Sequence, residues 1–431
     1  MRCVWLGATA LLVGCGAGSD LAPTRIVLIT IDTLRDDSLA LMPETRAFAA
    51  GGLHFEEAHA ATATTQPTHA SLFTGRHPWE HGVTRNGLIL AQSQDTLAER
   101  LKRLGFETSG VAASVPMQGR FGFSQGFDRY ADEFDQLYAR KWENKEVAEG
   151  KFYSLAERIT SQALEQLRVA EGELQFFWFH YFDPHDPYGD HQEDKKKWVG
   201  IQHLLAAASA GSPDAPELVR HAKKLYEEDV RALDHELVPL FAELKAGMDA
   251  YDTHVFFTSD HGESFGEKGC LGHGKRLVPE QIEVPFFYVG SRTSEQTQDP
   301  CGSVDVATTI LRLAGGTSAM SGRDLFAPAK GRPVAVGMRR TFEGEKFELL
   351  LDGTRLPIQG ERFYFAGERY ITGDAETLYA ADDFERPFSD SEHQGIRRFF
   401  QTIQKLLEGV SSEELTDEDV RAALRALGYT D

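Results

Sequence analysis

Positive charge is in short supply in this sequence. Its 431 residues carry 45 Lys and Arg against 66 Asp and Glu, a formal net charge of -21. A nucleic-acid partner needs a basic stripe to neutralise its phosphates, and none is present, so no nucleic acid is expected. The same acidity repels anionic substrates, so any anion that binds must be gripped locally by a metal, a helix end or clustered histidines. Cysteine is scarce as well: there are four. Cys3 and Cys15 fall in the leader, which leaves Cys270 and Cys301 as two thiols that an oxidising compartment could join. Past the leader no apolar run reaches the ~20 residues needed to span a bilayer, and no internal repeat or low-complexity tract interrupts the chain.

The leader itself, MRCVWLGATALLVGCGAGSD, has one Arg, a short apolar run and small residues around Cys15, the pattern of an export signal. LVGC, residues 12–15, resembles the lipobox of bacterial lipoproteins, which implies cleavage before Cys15 and lipidation of that residue. The expected layout is a signal peptide at 1–14, a linker at 15–24, and a body held in the periplasm or cell envelope by the lipid on Cys15. A plain cleaved signal is the alternative.

RIVLITI (25–31) is a nearly unbroken apolar, β-branched run, as expected of a strand buried on both faces of a parallel sheet. LQFFWFHYF (174–182), THVFFT (253–258) and VPFFYVG (284–290) repeat the pattern. Helical spacing lies between them, at Leu155, Ile159, Ala163 and Leu167, then from Leu225 through Val230, Leu233, Leu237 and Phe241 to Leu244. Pro239 should kink the second helix and Gly247 should stop it. Alternating strands and helices predict an α/β sandwich around a mostly parallel sheet, with ligands beyond the carboxyl ends of the strands. Asp32, Asp183 and Asp260 all follow such ends. HDPYGDHQEDKKKW (185–198) is a charged excursion beside the expected site. From about residue 330 the character changes to short strands, FELLLDG, RFYFAGERYITG and TLYAADD, then a helix pair, IRRFFQTIQKLLEGV and EDVRAALRALGY. That divides the chain into a catalytic body at 25–330 and a small C-terminal α+β subdomain at 331–431.

Three stretches bear chemistry. In SDHGESFGEKGCLGHG (259–274), adjacent Asp260 and His261 in a loop just past a strand can converge on one cation. Asp32 closes the first strand. In TTQPTHASLFTGRHP (64–78), Pro67 and Gly75 delimit a short helix with Thr65 at its N-terminal end, where free backbone N–H groups and the helix dipole favour an alkoxide or an anion. A threonine hydroxyl is too weak an acid to react unaided, and a bound divalent cation is the activation it lacks. Taken singly, Thr65 is as well explained as a helix cap, and Asp32 or the Asp260–His261 pair as a turn.

Taken in order, ITIDTLRDDSL, TTQPTHASLFTGRHPWEHG, FHYFDPHDPY and TSDHGESFGEKGCLGHG resemble the motifs of the sulfatase family of the alkaline phosphatase superfamily. VDVATTILRLAGG, SGRDLF and DVRAALRALGY are similar to its later landmarks. The resemblance implies an alkaline-phosphatase-like fold and a metal-dependent hydrolase of sulfate or phosphate esters of a small molecule, glycan or lipid. It implies one divalent metal (Mn, Zn, Ca or Mg) on Asp32, Asp260 and His261, with Thr65 touching it as nucleophile. His185 would contact the charged ester oxygens. His273 would steady the transferred group or assist the leaving oxygen, with Lys275 as rival, and His69 would join the substrate-binding set. Asp183, His185 and His273 could hold a second metal, or Asp183 could simply orient His185. A His among the ligands suits Mn or Zn better than Ca or Mg.

The departures from that family's pattern matter as much. Its Cys or Ser, converted to formylglycine, is Thr65 here; its Arg four residues on is His69; the second Asp of its DD pair is Thr33. SGVAASVPMQGRFGF (109–123) stands where a GKWHLG-like segment brings a Lys. The T-x-P-x-H pattern looks more like the superfamily's threonine enzymes. That leaves a phosphodiesterase, an envelope phosphoryl-alcohol transferase and a non-catalytic binding lipoprotein as alternatives.

Overall fold

A computed structural model describes residues 23–142, 145–189, 199–317, 319–329, 333–341, 346–358, 360–366, 370–373, 378–380 and 394–407. The leader with Cys15, positions 190–198 of the charged excursion and the helix expected at EDVRAALRALGY lie outside the described residues.

Seven strands form the central sheet: β1 (Thr24–Ile31), β2 (Leu53–His54), β3 (Glu107–Val111), β4 (Arg129–Ala131), β5 (Leu174–Tyr181), β6 (Asp252–Ser259) and β7 (Phe286–Val289). Their order is β2-β7-β6-β1-β5-β3-β4. From β6 to β4 every neighbouring pair is parallel, while β7 is antiparallel to β6 and to β2. Every residue of β1 and β5 is buried, which is why these strands carry unbroken apolar runs rather than alternation.

Register does the positioning. Ile31 pairs with Tyr181 on one side and with Ser259 on the other, so Asp32 and Asp260 leave the sheet at one level. Backbone bonds extend that alignment one residue further: Asp32 N–H donates to Tyr181 O at 2.9 Å, and Asp260 N–H to Ile31 O at 3.2 Å. A one-residue slip in either strand would move a carboxylate to the other face.

Helix α1 (Thr65–Thr74) is buried along its whole length, and Gly75, at φ 62, ends it in the left-handed conformation. Helix α2 (Ala156–Val169) buries Ile159, Ala163 and Leu167. The expected kink at Pro239 is a full break: α3 (Ala215–Glu236) ends, Leu237 intervenes, and α4 (Val238–Ala246) begins with the proline in its first turn, where a missing N–H costs nothing. No helix among the described residues is long and apolar enough to cross a membrane.

Past residue 333 a four-stranded antiparallel sheet joins Ala335–Arg340, Glu361–Ala366, Tyr370–Gly373 and Leu378–Ala380. Sequence patterning misses its first strand. This sheet shares a small core with Trp79, Phe400, Ile403 and Leu407 and clamps the segment leading into α1. Tyr364 Oη donates to Ala60 O at 2.6 Å and Met338 N–H to Ala61 O at 3.0 Å. A Cβ on Gly337 would lie 2.2 Å from Ala61 O, so the approach requires glycine. Cys270 and Cys301 are both buried and free, so the pairing that the sequence allows is not formed.

Two histidines away from the strand ends tie stability to pH. Burial lowers the pKa of His59 to about 4, and burial together with His77 and Arg76 lowers that of His81 to about 3. His81 Nδ1 accepts the Val83 N–H at 3.1 Å, a bond that protonation destroys. In the unfolded chain each takes a proton near pH 6.5, in the folded chain only near 4 or 3. Stability is therefore full above the unfolded value and lost as pH falls toward the folded one, by up to ~1.4 kcal/mol per pH unit per histidine. Urea midpoints at pH 7 and pH 5 should fall accordingly, and His81→Gln should flatten the fall. An unchanged slope in that variant would contradict the assignment.

Candidate active site

Asp32, Asp260 and His261 follow β1 and β6 directly, and Thr65 opens α1 across from them. Thr65 Oγ1 lies 3.5 Å from Asp32 Oδ2 and 3.5 Å from His261 Nε2. His261 Nε2 is 3.6 Å from Asp32 Oδ1 and 3.7 Å from Asp260 Oδ2. His261 Nδ1 lies 3.0 Å from Gly262 O, an atom that only accepts, so Nδ1 carries the proton and Nε2 presents its lone pair to the cluster. Two carboxylates, an imidazole lone pair and a hydroxyl thus converge, all with zero solvent exposure.

Such a set of acceptors lacks a positive centre. Asp260 Oδ1 is satisfied by the N–H groups of His261 at 2.7 Å and Thr33 at 3.2 Å, whereas Oδ2 is buried without a hydrogen-bond partner. Burial pushes the Asp260 carboxyl up to about 7 despite those two N–H groups and nearby His273. Burial also holds His261 well below the usual histidine value, so its ring is neutral. Asp32, Asp260 and His261 bring ligand atoms within 4.8 Å of one another. A tetrahedron with ~2.1 Å bonds has edges of roughly 3.4 Å, close to the separations here, so the residues fit a divalent cation.

A bowl of histidines adjoins the cluster. The His273 ring lies 4.4 Å from that of His261 and 5.2 Å from that of His185. His273 Nδ1 pairs with Glu263 Oε1 at 3.1 Å, and Tyr188 Oη donates to Glu263 Oε2 at 2.9 Å. Burial opposes a charge on His273, but Glu263, then Asp260 and Asp186, outweigh it and raise its pKa. His185 donates from Nδ1 to Asp186 O at 2.7 Å, and burial, with His273, keeps it neutral. In that tautomer Nε2 is an acceptor, so His185 meets an anionic ester oxygen as a donor only after taking up a proton. Lys275, half-buried, stands on the turn after Gly274, whose carbonyl Arg339 Nε holds at 2.5 Å.

Several expectations need correction. Two of the backbone N–H groups at the start of α1 are engaged, Gln66 donating to Asn86 Oδ1 at 2.8 Å and Thr68 to Thr64 O at 3.3 Å, and Pro67 has none. His69, expected in the substrate-binding set, lies beneath Thr65 with zero exposure, Nδ1 2.9 Å from Thr65 O and Nε2 3.0 Å from Thr30 Oγ1, so its ring is spent on bracing the first turn of α1. Among the described residues, Asp183, His185 and His273 do not make a third metal-binding group beside the two that the geometry allows.

Glu263, Gln66 and His180 escaped the sequence reasoning, and Thr33 entered it only as a departure from the family pattern. Gln66 pins the start of α1, with Nε2 donating to Pro116 O at 2.7 Å and Oε1 accepting from Gly87 N–H. That places the 109–123 segment against α1. Thr33, a β-branched residue at φ 55, spends ~1–3 kcal/mol of strain to aim its N–H at Asp260.

Register-matched carboxylates beyond a mostly parallel sheet, facing a hydroxyl at a helix N-terminus, define an α/β protein of the alkaline phosphatase superfamily. The chain belongs to the sulfatase family, whose model, Sulfatase, matches residues 24–316. It is 25% identical over 324 residues to an ulvan-active sulfatase of Formosa agariphila, covering 68% of this chain and 62% of that one. It is 25% identical over 343 residues to human N-acetylgalactosamine-6-sulfatase, covering 70% and 64%. The chain thus spans less than two thirds of either relative's length. Its fold matches a phosphonate monoester hydrolase of Agrobacterium radiobacter with TM-score 0.65 at 17% identity, covering 91% of this chain and 97% of that one.

The cluster predicts a metal-dependent stability. Chelator-stripped protein given Zn²⁺ or Mn²⁺ at a hundred times its Kd should gain about 2.7 kcal/mol, seen as a higher Tm. Asp260→Ala should abolish the gain, and a gain that survives would move the metal elsewhere.

Proposed function

We propose that this protein hydrolyses sulfate or phosphate esters with Thr65 as nucleophile, favouring phosphoryl esters. The observation that carries the reading is the convergence of Thr65 Oγ1 with Asp32 and His261 at 3.5 Å. A cation held by Asp32, Asp260 and His261 would supply Lewis acidity to the Thr65 hydroxyl and the ester. Thr65 Oγ, whose proton would be released when the cation binds, bonds as alkoxide to the central phosphorus or sulfur as the bond to the alcohol oxygen breaks, and leaves again as alkoxide when its ester is hydrolysed. The departing oxygen takes the electron pair and a proton from His273 Nε2, whose charged form Glu263 favours. Water then attacks the Thr65 ester, gives a proton back to His273, and frees the inorganic anion. Phosphoryl esters are favoured because Thr65 does not match the formylglycine maturation signal, so the covalent intermediate must be a plain phospho- or sulfo-threonine ester.

His185, Lys275 and His273 are the candidates for gripping the transferred group, and an arriving ester passes His273, whose side chain keeps 13% exposure. The alcohol is a glycan, lipid or small molecule, shaped by the 331–431 unit, whose Arg339 holds Gly274 beside His273. Residues 25–330 are the catalytic body, and LVGC supports an exported protein tethered through Cys15.

Aryl phosphate, aryl phosphodiester, aryl phosphonate and aryl sulfate assayed side by side test this. Thr65→Ala should lose at least about a thousandfold in kcat on every accepted ester. His273→Gln should cost ~100-fold on alkyl esters and little on esters of acidic phenols, which leave without a proton. Turnover untouched by Thr65→Ala would sink the mechanism.

A further inference from the structure

Beneath the cluster, on the sheet side, lie two histidines whose tautomers the surrounding protein dictates. His69 Nδ1 lies 2.9 Å from Thr65 O, which only accepts, so the ring carries a proton there, 3.7 Å from Asp260 Oδ2. Its Nε2 accepts the Thr30 hydroxyl proton at 3.0 Å, Trp178 Nε1–H donating to the same Oγ1 at 3.0 Å. Ala113 N–H donates to His180 Nδ1 at 3.2 Å, so the His180 proton is on Nε2. That atom is buried without a hydrogen-bond partner, 3.8 Å from Asp32 Oδ2. With His180 Nδ1 accepting the Ala113 N–H and His69 Nε2 accepting from Thr30, each ring carries a single proton and no charge.

His69, His180 and Asp260 also bring ligand atoms within 4.8 Å of one another, so a second ion there is the competing reading. The tautomers argue against it. A cation on His180 Nε2 needs the lone pair at that atom, which forces the proton onto Nδ1, head-on against the Ala113 N–H. A cation on His69 Nδ1 forfeits the bond to Thr65 O.

We propose that His69 and His180 are a matched pair of neutral N–H donors, one beside Asp260 Oδ2 and one beside Asp32 Oδ2, that fix the two carboxylates for the cation. This rests on Asp32, Asp260 and His261 being its ligands. Both separations exceed hydrogen-bond length, so the effect is that of an N–H dipole next to a carboxylate in a water-free pocket. Because neither ring is charged, the carboxylates are oriented without being neutralised, and their full charge is left for the ion. His69 and His180 are positioning residues, and His69 additionally locks the carbonyl of Thr65.

Isothermal titration of Zn²⁺ and of Mn²⁺ into the chelator-stripped full chain gives the test. Wild type should bind one ion per chain. His69→Leu and His180→Leu should each weaken binding ~10- to 100-fold. His69→Asn and His180→Gln, which return an N–H to the Nδ1 and Nε2 positions, should restore it. Imidazole ¹⁵N spectra of wild type guard against misfolded variants: His69 should be protonated on Nδ1 and His180 on Nε2, with and without metal. Two ions per chain, a deprotonated His180 Nε2 on loading, or wild-type affinity in both Leu variants would overturn the proposal. Wild type that binds no ion would instead remove the ligand assignment on which it stands.

Discussion

Two carboxylates held side by side out of water govern this structure. Asp32 and Asp260 leave neighbouring parallel strands at one level because Ile31 pairs with Ser259 and the backbone bonds run one residue further. Two like charges ~4 Å apart repel by about 4 kcal/mol at an effective dielectric of 20. Separately, burial alone pushes the Asp260 carboxyl up to about 7, the cost of taking its charge out of water. What surrounds the pair answers it: N–H groups from Thr33 and His261, a neutral imidazole lone pair, two neutral histidine donors below, and room for one cation. Stability and the proposed chemistry meet there, since an ion that offset the repulsion would also sit beside Thr65.

Four of the seven strands, β1, β5, β6 and β7, were legible because burial on both faces erases alternation and leaves continuous apolar runs, three of them followed by an Asp, whereas the short strands β2, β3 and β4 carried no such run. The helix start at Thr65 and its stop at Gly75 were legible from proline and glycine chemistry. His180 was not, because it sits in FFWFHYF, where a histidine looks like one more core ring, and its partners Asp32 and Ala113 are remote in sequence. Asn86 takes a helix N–H from 20 residues away, which local patterning could not register. Glu263 looked like a charged loop residue, yet it is 1% exposed and anchors His273. The strand Ala335–Arg340 hid behind its glycine and two arginines. In each case a tertiary contact outweighed the local signal.

The family's common features and this chain's departures form one pattern. Thr65, His69 and Thr33 replace residues that the family resemblance leads one to expect as formylglycine precursor, arginine and aspartate. Each replacement removes a charge or an aldehyde and substitutes a neutral hydrogen-bonding group. The outcome is a compact site with zero exposure at Thr65, Asp32 and His261, entered past His273, and braced by the C-terminal sheet through Arg339 and Tyr364.

The central claim is that Thr65 itself bonds to the transferred group. Metal-loaded enzyme turning over an aryl phosphate or aryl sulfate should be quenched in acid and digested, and the peptide bearing Thr65 weighed. A covalent phospho- or sulfo-group on Thr65, absent from the Thr65→Ala variant, is the result this account predicts. Steady turnover with that peptide unmodified at every quench time, even with His273→Gln slowing release, would contradict it.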